Sequence, residues 1–91
     1  MKITVTYFAR PGRREEFLHR VVTAGILSAI REEDGCLRYD YYLSCQNEEE
    51  ILLLEEWESE AHQHLHMEQE HMKRLMDIKN DCIAETRVQK D

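Results

Sequence analysis

From Glu50 to Trp57 the chain runs Glu-Ile-Leu-Leu-Leu-Glu-Glu-Trp, the length of one strand with large apolar side chains on both alternating faces. Ile51, Leu53 and Trp57 fall on one side, Leu52 and Leu54 on the other. Such a strand needs cover from both directions, because either face left in water exposes a contiguous apolar patch. The chain has 91 residues, which reads as a single domain spanning residues 1–91. By area scaling, a folded monomer of this mass exposes roughly 5,600 Å² and hides only about 65% of the surface of its unfolded chain. Burial against a second copy is a natural supplement.

Residues 2 to 9 alternate with strand spacing until Arg10-Pro11-Gly12 breaks the run, with Ile3, Val5 and Tyr7 on one side and Thr4, Thr6 and Phe8 on the other. Phe17, Leu18, Val21, Val22, Gly25 and Ala29 mark a helical stripe from Arg13 to about Arg31, weakened internally by Gly25 and ended by Asp34-Gly35. The tyrosine-rich stretch from Cys36 to Cys45 predicts a second strand, and Gln46 to Glu50 a polar turn. After the third strand, Ser59 is a candidate N-cap for a long helix from Glu60 to Lys79, with an apolar stripe of Ala61, Leu65, Met72, Leu75 and Met76. A last strand covers Ile83 to Gln89. This β-α-β-β-α-β order predicts a ferredoxin-like α+β fold, an antiparallel sheet with both helices on one face. The other face carries Leu52, Leu54 and either Tyr41 or Tyr42, and so predicts a homodimer packed sheet on sheet. A monomer with a scattered apolar face is the weaker alternative.

Several function classes fall away on composition. A formal charge of −7, with Arg10, Arg13 and Arg14 as the only basic group, argues against a nucleic-acid partner. The longest apolar run is Ile51 to Leu54 and the Met-Lys-Ile start lacks an apolar core, so neither a membrane span nor a secretory signal is expected. A cytoplasmic protein is the expectation. Cys36, Cys45 and Cys82 lack CxxC spacing and read as reduced thiols. Nucleotide, phosphate-loop and serine-hydrolase motifs are missing.

The chemistry concentrates around the second predicted helix, which carries His62, His64, His66 and His71. His62 and His66 have the spacing of two zinc ligands, yet Gln63 stands where the glutamate of HExxH would be and no third ligand is evident. No metal is expected. Trp57, the only tryptophan, closes the third strand just before this helix. An indole there can floor a cavity into which a helix histidine reaches as a proton acceptor near neutral pH, while packing into the core is its plainer role. Glu55 and Glu56 point to opposite faces, so one of them is either a buried carboxylate with a raised pKa or a partner for Arg38 or Arg87. Met67, Met72 and Met76 suit an adaptable apolar wall or ordinary core packing.

The stretch Glu33-Asp34-Gly35-Cys36-Leu37-Arg38-Tyr39-Asp40, followed by Glu55-Glu56-Trp57-Glu58-Ser59-Glu60-Ala61-His62 and then His66 and His71-Met72-Lys73, resembles the antibiotic biosynthesis monooxygenase domain family. The likeness is greatest to its small bacterial quinol-monooxygenase-like members. It implies a dimeric α+β barrel with a pocket between each sheet and its own helices. It also implies oxidation of a small aromatic or quinol-type substrate by O₂ without flavin, haem or metal. Under that resemblance His66 and His71 are the candidate catalytic residues, and Trp57, Tyr7, Tyr39, Leu65 and Met72 the candidate substrate-binding ones. The first strand offers Thr4 and Thr6 where the haem-degrading branch carries an Asn, which argues against haem degradation. Because the stretch Glu32 to Asp40 also resembles a branch that isomerises phosphorylated sugars, an isomerase of a small carbonyl compound is the alternative. A non-catalytic, stress-associated ligand-binding dimer is the third reading.

Overall fold

The computed structural model describes residues 1–91. Strands β1 (Lys2–Ala9), β2 (Cys36–Leu43), β3 (Glu50–Trp57) and β4 (Ile83–Lys90) form one antiparallel sheet in the order β2-β3-β1-β4. Helices α1 (Arg14–Thr23) and α2 (Ile26–Arg31) join β1 to β2, and α3 (Glu60–Met67) and α4 (Glu70–Cys82) join β3 to β4. The fold is ferredoxin-like α+β, as the element order predicts, but each crossover helix comes in two pieces. No helix is long and apolar enough to cross a membrane.

The first break falls at Gly25, whose φ of 75° puts it in the left-handed region that glycine alone enters freely. Beyond it the helix is re-phased. Ile26 and Ile30 join Phe17 and Val21 in the core, while Val22, expected on the buried stripe, is exposed. The second break corrects the continuous helix expected from Glu60 to Lys79. Gln69 is extended at φ −68° and ψ 147°, and its side-chain amide donates to the Leu65 carbonyl at 3.1 Å, which also accepts from the Glu68 N–H at the helix end. Ser59 does cap α3, its Oγ accepting from the His62 N–H. The expected stripe on α3 is inverted, however: Gln63 and His66 are buried and Ala61 and Leu65 face outward.

All four helices cover the face that carries Ile3, Val5 and Tyr7 of β1, Tyr39 of β2, and Ile51, Leu53 and Trp57 of β3. Pairing of Val5 with Leu53 and of Tyr39 with Glu55 fixes that registration. Tyr41, opposite Leu53, points the same way, so Tyr42, opposite Leu52, is the tyrosine of the other face. That face is centred on Phe8, Leu52 and Leu54, half-buried by sheet neighbours alone. Charged residues border it. Arg38 pairs with Asp40 at 3.0 Å and Arg87 pairs with Glu85, so neither meets Glu55, contrary to one of the two fates expected for that carboxylate. The chain exposes 5614 Å², the area expected of one folded copy. All three cysteines are free.

Candidate functional site

Between the sheet and helices α3 and α4 lies a cavity of about 560 Å³, a size suited to a small organic molecule. Its walls are mostly apolar, with Ile3, Val5 and Tyr7 below and Met72, Leu75 and Met76 above. Besides the hydroxyls of Tyr7 and Tyr39, the polar side chains that reach it include Glu55, Gln63 and His66, with Lys73, Lys79 and Lys90.

Strand alternation in β3 places Glu55 and Trp57 on the cavity side, two residues apart. Trp57 is wholly buried and its Nε1–H donates to Glu55 Oε1 at 3.0 Å. The His66 ring lies against the indole, with centroids 4.5 Å apart, and 5.7 Å from the Tyr39 ring. From the turn after α2, Glu33 reaches under both histidines. His66 Nδ1 is 2.9 Å and His71 Nε2 2.6 Å from Glu33 Oε2. A carboxylate only accepts, so each of these ring nitrogens carries the hydrogen. The other nitrogen of His66 has no protein partner and is the one left to meet a molecule in the cavity.

The break between α3 and α4 is what makes this convergence possible. In a continuous helix, side chains five residues apart diverge by about 140°. Resetting the phase at Glu68 and Gln69 lets His66 and His71 address one carboxylate.

Burial raises the Glu55 carboxyl above the ordinary value, opposed by the Trp57 N–H and by the positive charge available at His66 and Lys79. Burial likewise holds the Tyr7 and Tyr39 hydroxyls well above the usual tyrosine value, so both remain protonated donors at neutral pH. For Lys79 burial acts the other way and lowers the ammonium, with Glu55 opposing.

Of the residues singled out by sequence, His66, Tyr7, Tyr39 and Met72 are brought together around the cavity. Trp57 stands behind His66 and His71 behind Glu33, so both reach the cavity only through a neighbour. Leu65 is 55% exposed on the outer side of α3, away from the cavity, because α3 turns Gln63 and His66 inward. His62 and His66 do not converge: His62 Nδ1 lies 2.6 Å from Ser59 Oγ and its Nε2 3.4 Å from Asp34. Glu33, Gln63 and Lys79 are site residues that sequence reasoning missed. Glu33 meets histidines 33 and 38 positions later in the chain, a distance no local periodicity spans.

The family model for antibiotic biosynthesis monooxygenases matches residues 1–77. No protein of curated function matches the chain. Among solved structures, PA3566 from Pseudomonas aeruginosa is 25% identical, with a TM-score of 0.83 over 97% of this chain and 87% of that one. A conserved protein from Methanosarcina mazei Go1 is also 25% identical, with a TM-score of 0.82 over 97% of this chain and 86% of its own. A third structure, described as an antibiotic biosynthesis monooxygenase, is 24% identical with a TM-score of 0.83 over 99% and 95% of the two chains. With the family match running from β1 well into α4, the chain belongs to the antibiotic biosynthesis monooxygenase family.

Proposed function

We propose that this protein is a cofactor-independent monooxygenase of a small aromatic or quinol-type compound, bound beneath α3 and α4 with a hydroxyl at the free nitrogen of His66. The observation that carries this reading is the buried Glu33–His66 pair, 2.9 Å apart, at one side of an apolar cavity of about 560 Å³. Glu33 holds the Nδ1–H tautomer, which leaves Nε2 as proton acceptor, and its charge stabilises the imidazolium that forms. His71 shares that carboxylate and is a positioning residue. Deprotonation makes the substrate an electron-rich anion able to give one electron to O₂. Recombination of the two radicals forms a C–O bond, and loss of water leaves the oxygenated product. A quinol and O₂ thus become a hydroxyquinone and water, with one oxygen atom in each. Tyr7 and Tyr39 are the protonated donors at hand for the negative oxygen that develops.

We further infer that two copies pair through the sheet face of Phe8, Leu52, Leu54 and Tyr42, which no helix covers. Membership of the family, the half-buried state of Phe8, Leu52 and Leu54 in a single chain and the exposure of Tyr42 beside them support that pairing.

Oxygen uptake by flavin-free and metal-free protein on a panel of quinols and hydroxyarenes tests the activity. Uptake matched by product is expected, with His66→Ala lowering kcat by about 10²–10⁴. Equal product with and without O₂, or none in either, overturns the reading. Turnover without oxygen uptake favours the isomerase of a small carbonyl compound.

A further inference from the structure

We infer that Lys79 forms an anion-binding subsite remote from His66 in the same cavity, so that the compound bound there carries a carboxylate on its aromatic frame. This inference rests on the monooxygenase reading and specifies its substrate class. The chain as a whole has a charge of −7, yet the cavity is lined by three lysines against one glutamate. The three differ in kind. Lys73 is 73% exposed and paired with Glu70 at 3.2 Å, and Lys90 is exposed near the end of β4. Lys79 is half-buried, with its Nζ 5.0 Å from the centre of the Tyr7 ring, and neither a hydrogen bond nor an ion pair compensates its charge. The acidic group that acts on it is Glu55, whose carboxylate is already engaged by Trp57 Nε1.

An ammonium taken out of water without a counter-ion is costly, and an anion delivered by a ligand removes that cost. The depressed pKa of Lys79 is the signature of the same unmet charge. Position gives the ligand its shape. Ile3 lies opposite Glu55 in the sheet, and Tyr7, whose ring Lys79 approaches, lies four residues further along β1, a backbone separation of roughly 13 Å at strand spacing. A fused two-ring frame with a hydroxyl at one end and a carboxylate at the other fits that span.

Calorimetric titration with 6-hydroxy-2-naphthoate and with 2-naphthol isolates the carboxylate. The naphthoate is expected to bind about ten- to a hundredfold more tightly, as one hydrogen bond to a charged group provides. Lys79→Met should abolish that preference while leaving the naphthol affinity in place, and Lys79→Arg should retain most of it. Lys79→Gln, another neutral replacement, gives the same answer should the methionine variant fold poorly. Equal affinities in the wild-type protein, a preference that survives loss of the ammonium, or failure of both compounds to bind overturns the inference. Oxygen uptake on neutral quinols without a carboxylate preference removes the subsite and leaves the monooxygenase standing. A Lys79-dependent preference in a protein that never consumes oxygen does the reverse.

Discussion

Glu33 sets the protonation pattern of two histidines at once, and a neutral amide of the same shape cannot. Glu33→Gln presents both a donor and an acceptor, so the Nδ1–H form of His66 loses its preference. Its kcat is expected to fall about 10²-fold or more with little change in KM, checked by steady-state kinetics beside a thermal melt that shows the fold intact. Glu55 makes a different prediction. Burial raises its carboxyl from the ordinary 4.5, so the folded chain holds that proton more tightly than the unfolded chain. The associated stability is complete below the ordinary value and is lost as pH rises through the folded-state value. Glu55→Gln keeps an acceptor for Trp57 Nε1 and stays neutral. Urea melts from about pH 4 to neutrality should show the wild-type protein losing stability relative to the variant over that interval. His66 was singled out in the sequence because histidine, as a residue type, can accept a proton near neutral pH. Glu33 was not, since its role exists only once a turn and two helices meet, and Leu65 was misread because apolar character alone does not say which way a short helix faces.

Strands and helices differ in how openly the sequence declares them. Each of the four strands lies within two residues of its expected limits, because alternation with period two is set locally and turns such as Arg10-Pro11-Gly12 bound it. The first helix is expected in one piece from Arg13 to about Arg31 with Gly25 as its weak point, and the break falls there. The second had no signal: Glu68 and Gln69 are ordinary helix formers. A physical reason appears only in the packed molecule, where His66 on α3 and Leu75 on α4 must both turn inward. In one straight helix, residues nine apart point about 180° away from each other, so packing overrides propensity and the helix yields. The cap of α3 is the element-level handle. Ser59→Ala removes the acceptor for the His62 N–H and should destabilise the chain by about 1 kcal/mol in equilibrium urea melts.

For the molecule as a whole, the two-faced β3 strand already required two layers of cover, and the helices supply only one of them. The proposed pairing through Phe8, Leu52 and Leu54 supplies the other. Light scattering at micromolar concentration should give a mass twice the 10.9 kDa of one chain, and Leu54→Glu should return it to a single copy with its helical signal retained. The fold could be read from residue order, and the chamber under the helices was implied by the family resemblance. The lysines within it could not, because a net charge of −7 says nothing about where the minority charges gather. The claim on which function turns is that O₂ reacts directly with a deprotonated organic molecule held at His66. Reaction of the flavin-free and metal-free protein with a quinol under ¹⁸O₂, followed by mass spectrometry of the product, measures this most directly. One ¹⁸O atom in the product is the predicted result, and a product that forms without label contradicts it.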